Sequence, residues 1–146
     1  NTEFSCEEFS LQRNGANDLR LDIVLENALG QAIDVQVDSL SITSDVLKSG
    51  GLQANVSSEI GGALGSNGCD FSTPSSGAVS AGSGDNITVS ASETLTISCN
   101  PASSANVPVN LPNPGSKLKI GYTLEYVPQG KSLTKPISGE VFAALQ

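Results

Sequence analysis

Apolar side chains recur at every second position through much of this chain, the signature of strands that bury one face and expose the other. Leu19, Leu21, Ile23 and Leu25 alternate with Arg20, Asp22, Val24 and Glu26. Asn27-Ala28-Leu29-Gly30 breaks the run as a turn, after which Ile33, Val35 and Val37 alternate with Asp34, Gln36 and Asp38. The two runs read as a hairpin that opens a sandwich. At Leu40 and Ile42 the apolar parity flips, which places a bulge or bend near Asp38-Ser39, because an inserted residue exchanges the two faces of a strand.

Phe4, Cys6, Phe9 and Leu11 predict a first strand that ends at the turn signal Asn14-Gly15. Leu52, Ala54 and Val56 predict a weaker short strand. From Gly61 to Gly84 the chain turns to Gly, Ser and Ala, with Pro74, and reads as a long surface excursion with at most a short strand around Cys69 to Phe71. Ile87, Val89 and Ala91, then Leu95, Ile97 and Cys99, form either one kinked strand or two strands joined tightly at Ser92-Glu93. Pro101, Pro108, Pro112 and Pro114 flank Val107, Val109 and Leu111, an edge strand or an extended connector, because proline cannot donate to a ladder. Two strong strands close the chain. Leu118, Ile120, Tyr122, Leu124 and Tyr126 share one face, Pro128-Gln129-Gly130-Lys131 turns, and Leu133, Ile137, Val141, Ala143 and Leu145 continue. The one helical candidate, Asp45 to Gln53, is cut by Gly50-Gly51. Seven to nine short strands at this spacing predict an all-β, immunoglobulin-like β-sandwich, with residues 1–146 as one extracellular domain.

Composition agrees. Only 15% of the 146 residues are charged, against about 25% in an average domain, so hydroxyl and amide side chains do much of the wetting. The net charge of −8 repels phosphate backbones and anionic lipid surfaces, which excludes nucleic acid and electrostatic membrane docking as expected partners. No apolar run approaches the ~18 residues of a bilayer span. The chain opens at Asn1 without an apolar leader, as a mature or truncated product would.

Three cysteines are present, Cys6, Cys69 and Cys99, with no CxxC and no histidine, so a zinc site would need an uncommon ligand set. Cys69 and Cys99 enclose a Gly/Ser-rich segment, and Cys99 ends a strand-like run. In a low-charge secreted composition a Cys69–Cys99 disulfide is the preferred pairing, worth about 3–4 kcal/mol in the chain-entropy model. Cys6 is left to pair with an upstream segment, to pair between chains, or to stay buried; bridges from Cys6 to Cys69 or Cys99 are the alternatives. Asn55-Val56-Ser57 and Asn86-Ile87-Thr88 are N-glycosylation sequons.

Catalytic constellations are missing from the pattern. Without histidine there is no Ser-His-Asp or Cys-His machinery. Lys48-Ser49 and Lys131-Ser132 are adjacent, and neighbours on a strand face opposite ways. Glu7-Glu8 lacks a second carboxylate across an aromatic-lined groove, and four Phe, two Tyr and no Trp make a thin sugar platform. Asp34, Asp38, Asp45, Asp70 and Asp85 could offer oxygens to calcium, yet no D-x-D-x-D-G loop gathers them, and solvated acids are the simpler reading. No enzyme activity, cofactor or metal is expected.

The order of features resembles the globular domains of archaeal surface proteins that carry class III, type IV pilin-like signal peptides. The likeness rests on Phe4-Ser5-Cys6 followed by Leu19 to Ile33, on Cys69 and Leu95-Thr96-Ile97-Ser98-Cys99, and on Leu118 to Tyr126 running through Ser138 to Val141. It covers about half of the chain. The resemblance implies a filament subunit whose sandwich decorates a helical core, although the apolar N-terminal helix that assembles pilins is missing from the sequence. Strand donation is another assembly route, with residues Asn1 to Gln12 as the donor, but those residues read better as the first strand of their own domain. The expected role is a structural subunit of an extracellular, pilus-like filament or a surface adhesive domain that self-associates into a polymer. The alternative is a non-catalytic glycan- or protein-binding module of a larger cell-surface protein, with the Gly61 to Gly84 segment as its recognition loop.

Overall fold

The computed structural model describes residues 4–13, 19–44, 51–53, 69–80, 85–99 and 113–146. In these lie ten strands: β1 (Phe4–Arg13), β2 (Leu19–Asn27), β3 (Ile33–Ser44), β4 (Gly51–Gln53), β5 (Cys69–Thr73), β6 (Ser76–Ser80), β7 (Asn86–Val89), β8 (Thr94–Cys99), β9 (Lys117–Pro128) and β10 (Lys135–Ala144). They form two antiparallel sheets. One has the order β1-β2-β8-β5-β6; the other has the order β10-β9-β3-β4, with β7 paired to the first half of β3. The layout β1-β2-β8-β5 against β10-β9-β3 is the A-B-E-D over G-F-C plan of the immunoglobulin sandwich.

The alternating positions face one another across the two layers. Leu21, Ile23 and Leu25 of β2, Leu95 and Ile97 of β8 and Phe71 of β5 are buried against Ile33, Val35, Val37 and Leu40 of β3 and Leu118, Ile120, Tyr122, Leu124 and Tyr126 of β9. Each fully buried aliphatic or aromatic side chain contributes about 1.5–3 kcal/mol relative to exposure. Tyr122 stands directly across the ladder from Gly139, and a Cβ built at Gly139 would lie 2.5 Å from the Tyr122 hydroxyl. The glycine on this outermost strand therefore makes room for the ring, so the irregularity at Gly139 has a packing cause.

The parity flip in β3 is a bulge, as its pattern predicts. Gln36 pairs with Glu125 and Ser41 with Thr123, so Val37 to Leu40 stand opposite Leu124 alone. The break in the ladder is sealed by one hydroxyl. Ser39 Oγ donates to the Gln36 carbonyl at 2.6 Å and accepts from the Glu125 N–H at 2.8 Å. Val37 and Leu40 are thereby both buried on one strand.

Three expectations are corrected. First, β2 and β3 are not a hairpin. β2 belongs to one sheet and β3 to the other, so the turn after Asn27 carries the chain across the sandwich. Alternation requires a buried face for each run, but it is equally satisfied by runs lying side by side and by runs lying face to face. The Ile87–Cys99 stretch crosses in the same way, as two strands joined by a tight turn in which Ser92 takes a φ of 64° and Glu93 N–H donates to the Ser90 carbonyl at 3.0 Å. Second, the Gly/Ser-rich excursion contains a full hairpin, β5–β6, turned at Pro74-Ser75; residues 61–68 and 81–84 lie outside the described residues. Thr73 Oγ1 accepts the Ser76 N–H at 3.0 Å and helps to close that turn, a local bond that composition does not reveal. With this hairpin the described residues hold ten strands, against the seven to nine expected of the chain. Third, Leu133 is not part of the last strand's buried face: it is 77% exposed and precedes β10. Phe4–Arg13 pairs with β2 of its own chain, so β1 is a strand of its own domain. The Asn14-Gly15 turn, Ala54, Val56 and the Pro101 to Leu111 segment lie outside the described residues.

Glu93 ties two turns together. Its carboxylate accepts the Ser75 N–H and the Ser90 N–H, each at 3.0 Å. The Ser75 hydroxyl first, then the Ser90 and Ser75 N–H groups, hold its carboxyl below the usual glutamate range. A depressed carboxyl pKa stabilises the fold fully above the unfolded-state pKa, and that contribution fades as pH falls through the folded-state pKa. Glu93→Gln is therefore expected to lower the urea midpoint at about pH 7 and to differ less from the parent at about pH 3.

Candidate functional site

The surface departs from its polar, acidic average at the β9–β10 hairpin. Residues 113–146 carry four lysines against Glu125 and Glu140, a net charge of +2, so residues 1–112 carry −10 of the total of −8. At the tip, Gly130 takes a φ of 80°, a value suited to glycine, and the Lys131 N–H closes the turn onto the Pro128 carbonyl at 3.0 Å. Gln129 N–H donates to the Ala32 carbonyl at 3.2 Å, so the tip is fixed against the β2–β3 crossing. Beyond the turn, residues 131–134 leave the ladder, and Leu133 points away from the core.

The result is an open depression of about 490 Å³ lined by Gln31, Pro128, Gly130, Lys131, Leu133 and Lys135 among others. Leu133 and Phe142 are the two exposed large hydrophobic residues among the described ones; Leu133 precedes β10 at the tip, and Phe142 lies within β10, opposite Lys119. On the outer face of the hairpin, Lys119 and Glu140 form a 3.0 Å ion pair with both side chains about half exposed, which contributes little to stability. Lys131 and Lys135 pair with no described acid. β10 is the outermost strand of its sheet, and Pro136, which has no N–H to offer, blunts that edge against a further strand.

The residues singled out from the sequence are dispersed. Cys69 and Cys99 are joined by a disulfide. They sit directly opposite each other on β5 and β8 of the same sheet, facing the core. The bridge thus fastens neighbouring strands, whereas in antibody domains it spans the two sheets. Cys6 lies on β1, at the edge of that sheet, with its backbone opposite Leu25, and Glu7 is the extra residue of a bulge just beyond it. Asn86 opens β7 and is exposed, and the Thr88 hydroxyl of its sequon donates to Asp34 at 2.7 Å. Asn55 lies outside the described residues. Asp34, Asp38, Asp70 and Asp85 do not converge: among the described residues no three potential metal ligands come together.

One residue that the sequence marks only as a turn proves central. Asn27 is fully buried, and its Nδ2 donates to the carbonyls of Gln31, Val89 and Ser90 at 2.9, 3.2 and 3.2 Å. Its Oδ1 accepts the Leu29 N–H at 3.0 Å. Its backbone completes the connection, donating to Glu93 O and accepting from Ser92 N–H. Both sheet-crossing turns are held by this side chain. Asparagine's turn preference signals the position, but nothing local reveals a partner 62 residues away.

Fold and surface together define a disulfide-bridged immunoglobulin-like sandwich whose edge hairpin, β9–β10, carries a basic, apolar tip. No family model matches the chain, and no curated protein matches it. Among solved structures it is similar to the yeast GGA1 GAE domain–P21 structure, with 19% identity over 98% of this chain and 92% of that one and a TM-score of 0.42. It is also similar to a human CEP192 ASH/PapD-like domain, at 9% identity over 99% and 86% with a TM-score of 0.39. The GAE domain of Saccharomyces cerevisiae GGA2p gives 11% identity over 98% and 91% with a TM-score of 0.36. Likenesses of this size assign no function.

Proposed function

We propose that this chain is a non-catalytic structural domain of the cell exterior, a subunit of an extracellular, pilus-like filament or adhesive surface array that works by self-association. The observation that carries the reading is the β9–β10 hairpin. An otherwise acidic sandwich carries four of its seven basic residues on this hairpin, with Lys131 and Lys135 beside the exposed Leu133 at the tip and Lys117 and Lys119 near the exposed Phe142 at the far end of the ladder. An apolar, oppositely charged patch on an acidic protein has a natural partner in another copy of the same protein. The Cys69–Cys99 bridge supports an oxidising compartment. The resemblance to archaeal pilin-like surface domains points the same way, and an exposed Asn86 would accept a glycan there.

Negative-stain electron microscopy and sedimentation of the full chain over a range of concentrations test the reading. Oligomers or fibres that grow with concentration support it. A monomer at every concentration, in low and in physiological salt, overturns it in favour of a monovalent glycan- or protein-binding module.

A further inference from the structure

We infer that the β9–β10 tip docks on the outer face of the β1–β2–β8–β5 sheet of a second copy, in a head-to-tail contact. This rests on the self-association reading above and names the two surfaces that meet. One surface is the tip depression, where Lys131 and Lys135 flank the exposed Leu133. The other is built on the opposite sheet. Strand alternation turns Glu8, Asp22, Glu26 and Asp70 to its outer face. A shallow hollow there, about 180 Å³, is lined by Glu8, Ser10, Asp22 and Val24. Its half-buried Val24 offers apolar contact in the middle of an acidic rim, the complement of a leucine between lysines.

Arg20 is the one described basic residue on that face, and Asp22 already neutralises it at 3.1 Å. The face therefore presents net negative charge to a partner. Simple edge-to-edge pairing through β10 is opposed by Pro136, which leaves tip-to-face docking as the better match of shape and charge. The two surfaces differ and lie on different sheets, so each copy that binds through its tip keeps a free acceptor face. A heterologous contact of this kind propagates into a ring or an open filament.

Charge reversal tests the assignment by sedimentation velocity on the full chain, comparing the parent, Lys131→Glu/Lys135→Glu and Glu8→Lys/Glu26→Lys. All are surface changes, and circular dichroism verifies that each variant keeps its strands. The parent is expected to associate, less so as salt screens the contact. Each double variant alone is expected to associate at least about tenfold more weakly. Mixed in equal amounts, the two variants are expected to recover assembly, because an acidic tip then meets a basic face and a basic tip meets an acidic one. If the parent assembles and the tip variant assembles equally well, this contact is overturned while self-association stands. If the mixture does not recover, the acceptor face is wrong. A parent that never associates overturns the underlying reading instead.

Discussion

Asn27→Ala is expected to lower the stability of this domain by about 3–5 kcal/mol, near the upper end of what a single exchange costs. The side chain is fully buried and makes four hydrogen bonds, three as donor and one as acceptor. Truncation leaves the buried Val89 carbonyl and the part-buried Gln31 and Ser90 carbonyls and Leu29 N–H short of a partner. An unsatisfied buried polar group costs about 1–3 kcal/mol, so even two left unpaired outweigh an ordinary surface change several-fold. Asn27→Asp is the sharper test, since it keeps the shape and removes the donor. A carboxylate would face three carbonyl oxygens, and burial would raise its pKa above the unfolded-state value. For a carboxyl raised in this way, the folded state binds more protons than the unfolded one, so stability falls as pH rises through that range. The Asn27→Asp variant should thus be least stable at neutral pH and partly rescued in acid. Urea unfolding of both variants at about pH 7 and about pH 4 measures this. A midpoint within error of the parent for Asn27→Ala would show that the two crossing turns hold without it.

Removing the bridge with Cys69→Ala/Cys99→Ala is expected to cost about 3–4 kcal/mol. The cross-link spans 30 positions of sequence and encloses β5 to β8, so without it the unfolded chain regains the freedom to separate two neighbouring strands. Both sulfurs also sit in the core with relative exposures of 1%, so their loss adds a small packing defect. The strand content by far-ultraviolet circular dichroism should persist while the urea midpoint drops. Intact mass under non-reducing conditions, with thiol labelling, should report one bridge in the parent. It also reveals whether Cys6 labels, pairs with another chain or joins a different segment. A variant as stable as the parent would mean that the bridge does not constrain the unfolded chain.

The strands themselves were legible because burial follows a period of two. Leu21, Ile23 and Leu25 had to share a face, and so did Leu118, Ile120, Tyr122, Leu124 and Tyr126. The bulge in β3 was legible for the same reason, since a strand that keeps one side buried changes parity only where a residue is inserted. The β5–β6 hairpin was hidden because Gly77, Ala78 and the serines around them carry no alternation for a reader to follow. Leu133 misled for the opposite reason. Its apolar character fits a strand pattern, but the turn at Gly130 needs the next residues outside the ladder before β10 can begin at Lys135.

For the candidate site, the raw material was in the sequence: the lysines of residues 113–146 stand apart from the acids that precede them. What made them a surface was the placement of Leu133 beside Lys131 and Lys135 around one depression, on the sheet opposite Glu8 and Asp22. By itself the sequence determined an all-β sandwich and its buried faces, because those depend on local period and composition, while the pairing of Cys69 with Cys99 over Cys6 was settled by the placement of β5 beside β8. Only the tertiary structure decided which strands lie side by side, which turns cross between sheets and where Asn27 finds its carbonyls. These are choices among partners distant in the chain, and alternating residues present the same apolar edge to every strand that could lie beside or above them.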